Sequence, residues 1–211
     1  GDFFDFVPLP GNLTLAVIAD ASGKGMPACM LTAMCRSILR TNADRYKEDL
    51  EGLMREVNRK LFEDTDAAQF VTLACLLIDN NDFTIEYARA GHTSLLMRAP
   101  DGHVEVISPD GPALGLLPDE IEPEYDTFAF SWLPGMSLMV YTDGITEALN
   151  LEGEEFGTDR LIESWVEQPT TPLAASQGIL RAVHSFGGGE IQEDDQTLML
   201  LHRPAEKEAS A

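Results

Sequence analysis

The segment from Phe70 to Ile78 constrains the fold most: it is a continuous apolar run rich in strand formers. Asn80-Asn81-Asp82 then turns the chain, and Phe83 to Ala90 alternates as a partner strand does. A hairpin of this kind calls for an antiparallel sheet. Leu95 to Arg98 and His103 to Ile107 flank Pro100-Asp101-Gly102 and predict a second hairpin. Upstream, Asn12 to Ala19 predicts a strand that runs straight into Asp20-Ala21-Ser22-Gly23-Lys24-Gly25.

Helical periodicity fills the gap between these strands. From Met26 to about Asn42, Met30, Leu31, Met34, Ile38 and Leu39 recur at three- and four-residue intervals, with Pro27 where a first turn tolerates it. This predicts a core-facing helix. A second helix is expected from about Lys47 to Phe62, with Leu50, Leu53, Met54, Val57, Leu61 and Phe62 in one stripe and Glu51, Arg55, Glu56 and Lys60 facing away.

Further on, Pro109 to Glu124 reads as a loop, and Tyr125 to Trp132 and Ser137 to Tyr141 read as strands around Pro134-Gly135. Arg160 to Val166 and Pro172 to Ser185 look helical, Gly187-Gly188-Gly189 is a flexible break, and Gln196 to His202 is a closing strand. The tail from Pro204 to Ala211 is expected to fray. Strands in hairpins with helices grouped between them indicate an α+β layered domain rather than a doubly wound parallel sheet.

A chain of 211 residues that is 44% hydrophobic is long enough for one well-buried core, so one domain is the default. Its 36 acidic and 14 basic residues leave a formal charge of -22, which argues against binding nucleic acid or an anionic membrane surface. Cys29, Cys35 and Cys75 sit in apolar surroundings without the spacing of a zinc site, and read as buried thiols in a reducing compartment, hence a cytoplasmic location. No stretch reaches the roughly 18 apolar residues of a membrane span. The abrupt opening on Gly1-Asp2-Phe3-Phe4-Asp5 reads as a domain taken from a longer protein, whose other parts could include a membrane anchor.

Four acidic points border a strand and a turn: Asp2 with Asp5, Asp20, Asp143, and Asp194 with Asp195. An aspartate before glycine at a strand end is by itself most often a turn residue. As a set they suit magnesium or manganese, hard ions that prefer oxygen ligands. Two such ions about 3.5–4 Å apart can hold a nucleophilic water and clamp phosphate oxygens. Whether the four points meet is left open by the sequence.

The order of motifs resembles the bacterial SpoIIE-like branch of the metal-dependent type 2C (PPM) protein phosphatases. The matching stations are Gly1-Asp2-Phe3-Phe4-Asp5, Asp20-Ala21-Ser22-Gly23-Lys24-Gly25, Phe70-Val71-Thr72-Leu73, Ala90-Gly91-His92, Gly111-Pro112-Ala113-Leu114-Gly115, Tyr141-Thr142-Asp143-Gly144-Ile145-Thr146-Glu147-Ala148 and Asp194-Asp195-Gln196-Thr197-Leu198. The resemblance implies an αββα sandwich spanning residues 1–203, with 204–211 as a tail. It also implies two Mn2+ or Mg2+ ions, with room for a third. Asp20 should bridge both ions, the backbone carbonyl of Ala21 should help hold one, and Asp143 and Asp194 should complete the ligands of the other. Asp195 is expected at the site edge. Asp2 is expected to orient metal-bound water or bind a further ion, and Asp5 is a weaker version of the same assignment.

The implied reaction is direct attack of metal-bound water on a phosphoserine or phosphothreonine protein. In this branch the usual substrate is an anti-sigma-factor antagonist in bacterial partner switching. An N-terminal sensor or receiver module is expected in the full-length protein, and a homodimer is left open. Two departures stand out: Arg89 replaces the family's usual asparagine before Ala-Gly-His, and the family's second glycine before Gly-Asp would precede residue 1. His92 reads as structural, Lys24 as a phosphate attractor or an ordinary turn residue, and Met26, Met30 and Met34 as helical core before partner surface. The rival readings are a non-catalytic phosphatase-like interaction module and a different two-metal phosphoesterase.

Overall fold

Strand-forming residues assemble into two antiparallel sheets in a computed structural model that describes residues 1–65, 69–188 and 194–205. The chain divides into two units, Gly1–Thr93 with Ser108–Trp132, and Ser94–Ile107 with Leu133–Ala211.

In the first unit the sheet runs in the order β1 (Asp2–Leu9), β2 (Leu13–Ala21), β3 (Val71–Asp79), β4 (Thr84–Ala90) and β7 (Thr127–Ser131). The β3–β4 hairpin forms as its sequence predicts, with Asp79 opposite Thr84. Helices α1 (Met26–Asn42) and α2 (Leu50–Asp64) belong to the same unit. Leu31, Cys35 and Leu39 of α1 join Leu53, Met54, Val57 and Leu61 of α2, and Val17, Leu73 and Cys75 of the sheet, in one core cluster. Burying such side chains supplies about 25 cal/mol per Å² of apolar surface.

Both helices differ in detail from the periodicity. Ala28, Leu31, Cys35, Leu39 and Asn42 make the buried stripe of α1. Met26 and Met30 fall off that stripe and are 73% and 67% exposed, so only Met34 of the methionine series packs against the core. Cys29 is likewise exposed, which corrects the expectation of three buried thiols. Helix α2 starts at Leu50 rather than Lys47 because the Asp49 carboxylate accepts the Gly52 N–H at 2.8 Å and caps the helix there.

The second unit carries a sheet in the order β6 (Val104–Ile107), β5 (Leu95–Arg98), β8 (Ser137–Tyr141) and β9 (Leu198–His202). It also holds α3 (Asp143–Thr146), α4 (Gly157–Val166) and α5 (Pro172–Phe186). Leu161 and Trp165 of α4 and Ile179 and Val183 of α5 cluster with Leu96, Met139 and Tyr141. Arg98 closes α4: its guanidinium donates to the carbonyls of Trp165, Val166 and Gln168 at 3.1–3.2 Å, covering acceptors the last helical turn leaves open.

The sequence did not anticipate β1 or α3. It places a strand over Tyr125–Trp132 where only Thr127–Ser131 pairs, with Tyr125 buried in the first unit's core. Gly189 of the expected flexible break and residues 206–211 of the expected tail lie outside the described residues. Among the described residues, no helix is long and apolar enough to cross a membrane.

Candidate metal centre

In the first unit, strand register sets the carboxylates. Asp2 on β1 stands directly opposite Asp20 on β2, and Asp20 in turn stands opposite Thr72 on β3. Two like charges facing each other across a ladder destabilise it unless a cation offsets them. Beyond Asp20 the loop is stitched to the start of β3: Ser22 N–H donates to the Phe70 carbonyl at 2.9 Å, and Phe70 N–H donates to Ser22 Oγ at 3.0 Å. Gly23 and Gly25, at φ 89° and 74°, take the left-handed backbone that lets the loop turn into α1.

Gly1 completes this end of the sheet. Its carbonyl accepts from Ala21 N–H at 3.3 Å and from Thr32 Oγ at 2.9 Å. A Cβ on Gly1 would collide with Asp20 Oδ1 and come within 3.0 Å of the Ala21 carbonyl oxygen. The glycine therefore leaves a cradle beside the two oxygen atoms assigned to the metal by resemblance. Hard oxygen donors around such a space fit magnesium or manganese.

Asp5 belongs elsewhere, which corrects its assignment as a water- or ion-binding residue. Successive side chains of a strand alternate faces, so Asp5, an odd three positions from Asp2, points to the other side of β1. There it is 8% exposed. It accepts from Arg40 Nε and Nη2 at 2.5 and 2.7 Å and from the Phe6 N–H at 2.9 Å, and forms an ion pair with Arg36, whose Nε lies 2.9 Å from Oδ2. The Arg40 hydrogen bond, followed by the charges of Arg36 and Arg40, outweighs burial and holds the Asp5 carboxyl below the ordinary aspartate value of 3.8. This fork ties β1 to α1.

Asp5→Asn keeps the shape and removes the charge. It is expected to destabilise the fold by about 2 kcal/mol at neutral pH, below the value for a fully buried pair. The discount reflects the arginine side chains, which are 48% and 45% exposed. Because folding depresses this pKa, the stabilisation is complete above pH 3.8 and is lost as pH falls through the lower folded value. Urea midpoints of wild type and variant should therefore converge as pH is lowered from 5 toward 2. A gap independent of pH would refute the ion pair.

In the second unit, β8 ends at Tyr141 opposite Leu198 and delivers Asp143 as the first residue of α3. Thr142 N–H donates to the Thr197 carbonyl at 3.0 Å, and Thr197 N–H returns to Thr142 Oγ at 2.9 Å. Gln196 Nε2 donates to the Gly144 carbonyl at 3.1 Å. A Cβ on Gly144 would collide with the Asp195 carbonyl oxygen and lie 3.4 Å from Asp194 Cβ. The glycine thus allows the Asp143 turn to sit against Asp194 and Asp195. Asp194 Oδ1 accepts the Asp195 N–H at 2.9 Å.

Glu147 feels this concentration of charge. Burial first, and then the negative charges of Asp143, Glu155 and Asp194, push its carboxyl above the ordinary glutamate value. Glu147 was not among the expected site residues, although its spacing of four from Asp143 on a helical turn was the available signal. Within each unit, then, the expected ligands come in neighbouring sets: Asp2 with Asp20, and Asp143 with Asp194. Among the described residues, no three His, Cys, Asp or Glu side chains gather into a group that could hold a metal ion.

A family model described as Stage II sporulation protein E (SpoIIE) matches residues 10–204. The chain belongs to the SpoIIE family. It is 28% identical over 235 residues to Protein IcfG of Synechocystis sp., across 96% of this chain and 36% of that protein. It is 29% identical over 171 residues to the phosphoserine phosphatase RsbU of Bacillus subtilis, across 77% of this chain and 48% of that one. The chain thus spans between 36% and 48% of these curated relatives' lengths. Among solved structures, the SiaA-PP2C domain of Pseudomonas aeruginosa is similar at a TM-score of 0.81 and 19% identity, over 95% of this chain and 80% of that one. Two antiparallel sheets with helices, in a mixed α+β arrangement, match the PP2C phosphatase folds.

In this SpoIIE-family chain the unusual Arg89 is half-buried and bonds to two main-chain carbonyls. Its Nε donates to the Pro109 carbonyl at 2.8 Å and its Nη1 to the His92 carbonyl at 2.6 Å. Arginine can span two carbonyls where a shorter amide could not, so the departure from asparagine pins the His92 turn to the loop before Gly111. His92 is buried, with Nδ1 2.9 Å from Thr72 Oγ, in agreement with a structural role. Lys24 is exposed.

Proposed function

We propose that this chain is the catalytic domain of a metal-dependent protein serine/threonine phosphatase. Two Mn2+ or Mg2+ ions would be held by Asp20 as the bridge, the Ala21 carbonyl, Asp143 and Asp194. Asp195 would stand at the edge, and Asp2 would orient water or take a further ion. When bound, the cations supply an activated water and neutralise the charge that develops on the phosphoryl oxygens. The observation that carries the reading is a family match whose span includes Asp20, Asp143 and Asp194.

The two buried cysteines are poor nucleophiles. Burial pushes the Cys35 thiol up to about 12 and the Cys75 thiol higher still, so neither is a thiolate at neutral pH. The strand ladders on both sides of Asp20, and the Thr142–Thr197 bonds beside Asp143, hold the backbone at the carboxylates before any ligand arrives. Such preorganisation is where a phosphoryl-transfer site gains most of its rate.

The resemblance to RsbU supports the finer reading: a phosphorylated anti-sigma-factor antagonist as substrate, in bacterial partner switching in the cytoplasm. A sensor or receiver module would adjoin residue 1 in the full-length protein.

Phosphate release from a phosphoserine protein and from an aryl phosphate monoester, with and without manganese, tests the activity. Manganese-dependent turnover of both, with little action on an aryl phosphodiester, is expected. A folded, manganese-saturated protein inactive on both monoesters would leave a binding module. Faster diester cleavage would make it a different phosphoesterase.

A further inference from the structure

Two stations of the motif pattern have no task in the chemistry above, Thr72 and His92. Thr72 stands directly across the β2–β3 ladder from Asp20. Its hydroxyl donates to the main-chain oxygen of Asp20 at 3.4 Å and lies 2.9 Å from His92 Nδ1. A hydroxyl has one proton, so both contacts are satisfied together only when His92 carries a hydrogen on Nδ1 and donates it to Thr72 Oγ.

The histidine is held for that task. It is 4% exposed, and its carbonyl accepts from Arg89. Gly91 has φ 62°, and a Cβ there would press within 3.1–3.2 Å of Ala113, so the turn that aims the ring is packed against Ala113 and suits only glycine. Donation then runs in one direction, from the ring N–H through the threonine hydroxyl to the Asp20 carbonyl. The peptide so fixed is the one that joins Asp20 to Ala21.

We propose that Thr72 and His92 are positioning residues that set the Asp20–Ala21 peptide, and thereby hold the Asp20 carboxylate and the Ala21 carbonyl ready for a divalent cation. The inference rests on the reading of those two groups as metal ligands. It also gives Arg89 a purpose, as the clamp on the backbone that carries the ring.

Wild type, Thr72→Val, Thr72→Ser and Asp20→Ala should be compared by calorimetric titration with manganese, by kcat and KM on an aryl phosphate, and by 15N NMR of the histidine rings. Thr72→Val removes the hydroxyl while keeping the branched shape. It is expected to raise the manganese dissociation constant about three- to tenfold, as loss of one hydrogen bond would. At limiting manganese its kcat should fall while KM for the ester holds, and excess manganese should recover most of the rate. Thr72→Ser should stay within about twofold of wild type, since the donor is retained. The wild-type His92 ring should carry its proton on Nδ1.

Manganese binding by Thr72→Val equal to wild type, a Thr72→Ser variant as weak as Thr72→Val, or a His92 proton on Nε2 would overturn the proposal alone. Wild type that binds no manganese, or Asp20→Ala that binds it as tightly as wild type, would overturn the metal reading and this inference with it.

Discussion

Asp20→Ala is expected to lower manganese-dependent phosphate release by on the order of 10³ in kcat while leaving the protein folded. The reason lies in the division of labour at the end of β2. The backbone of Asp20 is held by ladders to β1 and β3, and neither ladder needs the carboxylate. The carboxylate itself belongs to the residue that stands opposite Asp2 across the sheet. Without metal, the variant should therefore still unfold in one cooperative transition. With manganese at about 100 times its dissociation constant, wild type should gain about 2.7 kcal/mol, and the variant should gain far less. Thermal unfolding with and without manganese checks both. A variant that keeps its activity, or gains the same stabilisation from manganese, would remove Asp20 from the centre.

Gly144→Ala should damage the other carboxylate pair without touching a carboxylate. Helix propensity alone predicts the opposite, because Ala is favoured over Gly in a helix by about 1 kcal/mol. The added Cβ, however, would run into the carbonyl oxygen of Asp195, a backbone atom that cannot swing aside as a side chain could. Either the start of α3 or the Asp194–Asp195 segment has to move, and overpacking of this kind costs about 1–3 kcal/mol. Whichever moves, the spacing between Asp143 and Asp194 changes, and kcat is expected to fall at least tenfold, on the order of what a small misplacement at a reaction centre costs. Unfolding and turnover measured on the same preparation decide it. An alanine variant as stable and active as wild type would mean that the close approach does not constrain the site.

The parts of the fold written in local pattern were legible. Helix α1 has the bounds that the Gly25 turn, Pro27 and the three-four periodicity set, and the β3–β4 hairpin follows from an apolar run, a polar turn and an alternating return. Strand β1 was not legible, because its core face reads Phe3, Asp5, Val7 and includes a carboxylate that only distant residues make tolerable. Those residues, Arg36 and Arg40, lie on the next helix, and nothing in the local pattern of β1 announces them. Arg89 was opaque for a related reason: its partners are main-chain carbonyls, which leave no mark on residue identity. The individual aspartates could be picked out by their places where an expected strand meets a turn. Their grouping depended on register, Asp2 against Asp20, and on close approach, Gly144 against Asp195, which only the folded backbone supplies.

The two units also differ from beads on a string. Ser94–Ile107, the β5–β6 hairpin, leaves the first unit's stretch of sequence to build the second unit's sheet, and the chain then returns through Ser108–Trp132 to add β7 beside β4. No single cut of the polypeptide separates them: truncation after Thr93 would strip β4 of its outer neighbour, and starting at Leu133 would leave β8 without β5. During synthesis the first sheet stays open until β7 has emerged, well after the hairpin destined for the other unit. Neither unit is a contiguous stretch of the gene, so no single truncation or fusion point yields one set of aspartates with its sheet intact.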